Sequence, residues 1–270
     1  MVRNEGTGLR RALVCRPGRE YVSLDDPRRH NFLDLPDLAL AQAQHDALTR
    51  TLREHRVAIT SLPELPGHPN SVFTRDPILV TGEGYVHLRM GLSTRRGEEA
   101  WLARHLEDAG FPCVGRIELP GTVEGGDVIL AGRVAFVGHS GRTNEEGIRQ
   151  LRRILSHLGV HDVRVAPVPD RYLHIGGAMS MVAPDRVVAC SGVFPRDFFS
   201  GFDVIWVART RATGANVICL APNRVIADAA ETSLIQTLED HRVTVIPLDL
   251  SEFVKGGGGP TCLIQPLQNA

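Results

Sequence analysis

NEEGIRQLRRILSHLGVHDVRVAPVP, residues 144–169, reads as a helix followed directly by a strand. Ile148, Leu151, Ile154, Leu155 and Leu158 recur at the spacing that puts side chains on one helical face. Thr143, with Glu146 three residues on, has the pattern of a capping box opening that helix. The same helix-then-strand order returns at 44–65, 98–119 and 230–250. Between these segments lie paired apolar runs punctuated by Gly-containing or Pro-Asp/Asn turns, at 71–90, 121–139, 173–192 and 214–227, which read as hairpins. The hairpin at 214–227 is preceded only by a short helical candidate at 203–211. The strand at 9–16 has no helix before it and is expected to pair with the last strand, after Cys262. The pattern therefore predicts an α/β chain closed into a ring of about five strand–strand–helix–strand units, pseudo-fivefold and occupying residues 1–270 as one domain. An ordinary αβ sandwich is the competing reading.

Composition narrows the function. The chain has 270 residues, 43% hydrophobic and 23% charged, as in ordinary globular domains. Its net charge of −1 and the lack of any basic run interleaved with aromatics argue against a nucleic-acid partner. Lys255 is the only lysine. No stretch approaches the roughly 20 apolar residues of a membrane span, and the N-terminal residues carry no apolar h-region. The five cysteines, at 15, 113, 190, 219 and 262, are odd in number and scattered, which suits a reducing cytoplasm better than a disulfide framework.

If five repeats close a ring, equivalent positions converge on its axis. The residues at the start of each unit's first strand are Asp76, Glu124 with Asp127, His174, Asn216 and Cys262. Cys262 follows GGGG at 256–259, a run that lets backbone approach a ligand closely, and is expected at the mouth of a strand. Paired carboxylates suit a guanidinium, a thiolate can attack its carbon, and a histidine can protonate the leaving amine and then activate water. His, Cys and carboxylates also ligate zinc, but none of them has compact ligand spacing, and His157 and His161 straddle Gly159 where a helix ends. No metal and no cofactor are expected. Individually these residues have plainer readings: Glu124 and Asp127 as turn carboxylates, His174 as a core histidine, Arg142 as a solvated cation.

The combination FTRDP (73–77), EGGD (124–127), GRTN (141–144), LH (173–174) and GGGGPTC (256–262) resembles the guanidine-modifying enzymes of the pentein fold. The resemblance runs from RRALVCRPG (10–18) to QPL (265–267), nearly the whole chain. It implies a five-bladed α/β propeller of ββαβ units. It also implies Cys262 as nucleophile, His174 as acid and base, and Asp76 and Glu124 as guanidinium-binding carboxylates. Within that superfamily the short form is most similar to dimethylarginine dimethylaminohydrolase. The chain has no room for the helical insertion of arginine deiminases and has Gly176 where they carry an acid. The resemblance further implies that Arg95 (in STRRGE) and Arg142 (in GRTN) grip a substrate α-carboxylate; Asp127, from its place in the repeat, is expected to bind substrate as well. Asn70 and Gly257 stand where the dimethylaminohydrolases tend to have acids, and FTRDP and GGGGPTC look more deiminase-like. The implied activity is cofactor-free hydrolysis of a guanidino amino acid, Nω-methylated arginine first, to citrulline and an amine. An arginine deiminase-like or amidinotransferase-like reaction and a non-catalytic binding module are the alternatives. A homodimer is compatible with the sequence.

Overall fold

The computed structural model describes residues 1–208 and 213–270. Among them fifteen strands form five three-stranded sheets. The first joins β1 (Leu9–Cys15), β2 (Ala58–Leu62) and β15 (Gln265–Asn269); the second, β3 (Ile78–Val80), β4 (Tyr85–His87) and β5 (Cys113–Arg116). The third holds β6 (Val128–Ala131), β7 (Val134–His139) and β8 (Asp162–Pro167). The fourth holds β9 (Met179–Ala183), β10 (Arg186–Cys190) and β11 (Asp203–Val207), and the fifth β12 (Val217–Ala221), β13 (Arg224–Asp228) and β14 (Thr244–Leu248). In every sheet the middle strand runs antiparallel to one neighbour through a hairpin-type pairing and parallel to the other. A parallel partner needs a long crossover. Helices Leu38–Glu54, Glu98–Asp108, Glu145–His157 and Thr232–Asp240 supply it in four sheets. The arrangement is a five-bladed α/β propeller.

Burial shows which way each blade faces. β3, β6 and β9 are buried at every residue, whereas β2, β5 and β14 are mostly half-buried or exposed. Strands covered on both faces read as continuous apolar runs, and these innermost strands form the wall around the axis. Ring closure follows the expected route, with β15 pairing antiparallel to β1.

Three local expectations change. The helical candidate at 203–211 is a strand over Asp203–Val207, in parallel register with β10; residues 209–212 lie outside the described residues. The crossover of that blade is instead a turn-rich segment in which Phe194, Phe198, Phe199 and Phe202 cluster around one another and Phe136. Aromatic burial there takes the place of an amphipathic helix. Helix Glu145–His157 is capped by Asn144, whose side chain accepts from Gly147 N at 2.8 Å, and not by Thr143. Thr143 Oγ1 is already engaged by the backbone N–H of Glu124 at 3.1 Å. Third, Cys262 sits not at the mouth of a strand but in the 3-10 turn Pro260–Leu263, ahead of β15.

His45, on helix Leu38–Glu54, is 1% exposed, and neither ring nitrogen has a hydrogen-bond partner among the described residues. Burial pushes its pKa down to about 4, with the charges of Asp46, Arg16 and Arg53 as smaller influences. A depressed histidine contributes stability that is present above its unfolded pKa and lost as pH falls towards the folded value. Between pH 6.5 and 4 that loss amounts to about 3 kcal/mol. Urea titrations across this range should show it, and His45→Leu should flatten the acid side of the stability curve. An unchanged slope would show that His45 does not carry the acid sensitivity.

Candidate active site

Every reactive side chain is delivered by the short turn just before an innermost strand. Asp76 precedes β3; Glu124 immediately precedes the 3-10 turn Gly125–Asp127 that leads into β6. His174 begins the single helical turn Ile175–Ala178 before β9, and Cys262 lies in the turn before β15. Four such turns meeting at the axis gather residues that are far apart in the chain.

The imidazole of His174 is 4% exposed, and its Nε2 lies 2.7 Å from Glu124 Oε2. Its Nδ1 lies 3.8 Å from Asp76 Oδ1. Glu124 is fully buried; its Oε1 accepts the backbone N–H groups of Gly91 (3.0 Å) and Leu92 (3.1 Å) and lies 3.5 Å from Arg142 Nη1. Asp76 Oδ1 accepts from Gly126 N at 3.1 Å and Oδ2 from Arg95 Nη1 at 2.6 Å. Asp76, Arg95, Arg142, His174 and Cys262 line one cavity of ≈ 10 Å³, with Gly256–Gly258 on its rim. As it stands, that is room for about one water. A second cavity of ≈ 40 Å³ lies behind, lined by Glu5, Arg75, Gly126 and Thr261. Asp76, His174 and Cys262 do not line it; they line the smaller one.

The charge states follow from the surroundings. Burial works against a charged His174, but the carboxylates of Asp76, Asp127 and Glu124 outweigh it and raise the imidazole to about 9. Burial likewise works against a charged Glu124, yet the hydrogen bond and charge of His174, with Arg142 and Arg95, bring it down to about 2. Cys262 goes the other way: burial first, then Asp76, raise its thiol to about 11 despite the Gly259 backbone contact and the charges of Arg95 and Arg75. At neutral pH the resting site therefore holds a thiol, an imidazolium and a carboxylate.

Six expected residues are brought together: Asp76, Arg95, Glu124, Arg142, His174 and Cys262. Asp127 is not on the cavity. Its Oδ1 accepts from Ile175 N (2.9 Å) and its Oδ2 from Ser140 Oγ (2.6 Å), which ties the His174 turn to the GRTN loop. Arg95 is only 2% exposed and is spent on internal partners, so it does not present itself to a carboxylate as expected. Glu98, which holds Arg95, was not singled out in the sequence, although the three-residue spacing in STRRGE is the signal of such a pair. One ligand atom each from Asp76, Glu124 and His174 lie within 4.8 Å of one another, the spacing of a metal site. Here those groups are answered by Arg95, Arg142 and the imidazolium itself.

The model of the eukaryotic N,N-dimethylarginine dimethylhydrolase family matches residues 37–269. The chain belongs to the dimethylarginine dimethylaminohydrolase family. It is 33% identical over 241 residues to the N(G),N(G)-dimethylarginine dimethylaminohydrolase of Pseudomonas aeruginosa, covering 89% of this chain and 94% of that one. The Streptomyces coelicolor enzyme of the same name is 29% identical over 261 residues, covering 94% and 95%. A solved structure of the Pseudomonas aeruginosa protein, a cysteine-to-serine variant complexed with citrulline, superposes with a TM-score of 0.84 at 30% identity, over 95% of this chain and 98% of that one.

Gly126 tests how tightly the site is built. A Cβ there would lie 2.6 Å from His174 Nδ1 and 2.8 Å from Asp76 Oδ1. Gly126→Ala is expected to displace the imidazole and lower kcat roughly tenfold or more, since small misplacements are costly in catalysis. Unchanged kcat would show that His174 is free to shift without consequence.

Proposed function

We propose that this protein hydrolyses Nω-methylated arginine, asymmetric dimethylarginine above all, to citrulline and a methylamine, with Cys262 as the nucleophile. The observation that carries the reading is the meeting of Cys262, His174 and Asp76 around one cavity, with Glu124 bonded to the far side of His174, in a chain of this family. Asp76 and Glu124 take the substrate guanidinium, matching a planar cation with paired carboxylates. Arg142, whose side chain borders the same cavity, takes the α-carboxylate. The bound cation supplies the positive charge that the thiol lacks at rest and favours the thiolate.

The thiolate sulfur attacks the guanidinium carbon, forming a C–S bond and a tetrahedral adduct. His174 gives its proton to the departing dimethylamine nitrogen as the C–N bond breaks, leaving an S-alkylthiouronium on Cys262. The now neutral imidazole, steadied by Glu124, takes a proton from water. That water's oxygen adds to the same carbon, and collapse expels the thiolate and leaves the ureido group of citrulline. No electrons are transferred to or from the protein, and no cofactor is called for. A thiol nucleophile suits a reducing cytoplasm. No helix among the described residues is long and apolar enough to cross a membrane.

Citrulline and dimethylamine release from asymmetric dimethylarginine, monomethylarginine and arginine should be measured side by side. Cys262→Ser is expected to abolish turnover with the fold intact, because a hydroxyl is a much poorer nucleophile. Arg142→Ala should lower kcat/KM for methylated arginines roughly tenfold or more, as for loss of a charge-assisted contact, and leave alkylguanidines unaffected. Glu124→Gln should impair both classes. Preference for arginine over its methylated forms would move the enzyme to the deiminase reaction.

The pH profile follows from the charge states. The productive form needs a thiolate, with its thiol near 11, and an imidazolium near 9. Its fraction grows about tenfold per pH unit from neutrality to about pH 9 and then levels. The logarithm of kcat/KM should climb with unit slope over that range. A flat profile between pH 7 and 9 would exclude the neutral resting thiol.

A further inference from the structure

Arg95 faces two buried carboxylates at once. Its Nε and Nη2 both donate to Glu98 Oε2, at 3.0 and 2.7 Å, and Nη2 also donates to the Phe73 carbonyl at 2.9 Å. Its Nη1 donates to Asp76 Oδ2 at 2.6 Å. These four contacts occupy four of the five N–H donors of a guanidinium. Asp76, Arg95 and Glu98 are 1%, 2% and 0% exposed, so water does not compete for them.

The backbone sets this geometry. Arg95 ends the 3-10 turn Ser93–Arg95, and Glu98 is the first residue of helix Glu98–Asp108, so the two side chains lie three residues apart on adjoining turns. The neighbouring Glu99 pins the same turn by accepting the N–H groups of Met90 (2.8 Å) and Gly97 (2.7 Å). At the outer end, Glu98 Oε1 has no hydrogen-bond partner among the described residues and lies 3.8 Å from His68 Nδ1.

Arg95 carries the same chemical group as the substrate head and borders the same cavity. Unrestrained, it would pair with both oxygens of Asp76, the strongest geometry open to a guanidinium and a carboxylate. Asp76 would then be filled from within. We propose that Glu98 is a positioning residue for the reaction: it grips the Nε–Nη2 edge of Arg95, limits that guanidinium to a one-point contact on Asp76, and so keeps Asp76 open to the substrate. The inference rests on the reading of Asp76 as a guanidinium-binding carboxylate.

The test is calorimetric titration of n-butylguanidine, which has no carboxylate, into Cys262→Ser protein carrying further substitutions. Turnover is absent, so Kd reads head-group binding alone. Adding Glu98→Leu, which leaves no acceptor for the Nε–Nη2 edge, is expected to weaken binding roughly tenfold or more, as Arg95 closes on Asp76. Adding Arg95→Met to that variant should return Kd to within about threefold of the parent, because the internal competitor is gone. A role in stability alone would shift the melting midpoint without this loss and recovery. Unchanged binding in Glu98→Leu, or no recovery on adding Arg95→Met, would overturn the inference. Should the Glu98→Leu protein fail to fold, the version lacking both charges is compared directly with the parent: similar Kd supports the proposal, and lost binding overturns it. Failure of the Cys262→Ser parent to bind n-butylguanidine would overturn the guanidinium reading itself, and this inference with it.

Discussion

Closure of the ring depends on one pairing. β1 is the middle strand of a sheet whose antiparallel neighbour is β15, from the far end of the chain, and whose parallel neighbour is β2. Without β15 the first blade would lose its innermost strand and expose an unpaired edge on the axis, where backbone groups have no water to turn to. The same pairing positions Cys262. Cys262 lies in the turn that introduces β15, and its carbonyl accepts from Arg75 N, next to Asp76. Docking the last strand therefore completes the core and the reactive set in a single event.

A closed ring permits an unusual charge density at its centre. Asp76, Glu98, Glu124 and Asp127 are each no more than 1% exposed. Desolvating several carboxylates together is costly unless each finds donors, and deleting one partner of a buried pair typically costs about 3–5 kcal/mol. Here Arg95, Arg142 and His174 supply the cations, and backbone N–H groups from Gly91, Leu92, Gly126 and Ile175 supply fixed dipoles. This balance explains the resting thiol. The positive charge already present is committed to carboxylates, so burial decides the state of Cys262 until a cation arrives from outside.

The repeat was readable because its parts have local signatures. The apolar face of Ile148, Leu151 and Leu155 and the Gly or Asn turns of the hairpins do not depend on distant contacts. The blade ending in Asp203–Val207 escaped that logic. Its crossover is held by aromatic rings meeting across sequence, and Val204, Ile205 and Val207 suit either helix or strand until β10 lies beside them. Thr143 shows the same limit on a smaller scale. It matches a helix cap locally, but its hydroxyl is recruited by Glu124, 19 residues back. The convergence of Asp76, Glu124, His174 and Cys262 followed from counting repeats, whereas the commitments of Asp127 and Arg95 to interior partners required knowing what surrounds them.

The fifth equivalent position supplies no reactive group, and its amide has a different task. Asn216 precedes β12 as Asp76 precedes β3, and it is 3% exposed. Its Nδ2 donates to the Gly176 carbonyl (2.8 Å) and to Thr261 Oγ1 (2.7 Å), while its Oδ1 accepts from Thr261 N (2.9 Å). Gly176 follows His174 by two residues, and Thr261 adjoins Cys262. One neutral side chain thus joins the histidine turn to the cysteine turn across the blade between them. An ionised carboxylate there could accept from Thr261 N but could not donate to Gly176, because it offers no N–H. An aspartate would also add a further negative charge close to the Cys262 turn. The amide is the residue type that meets both demands.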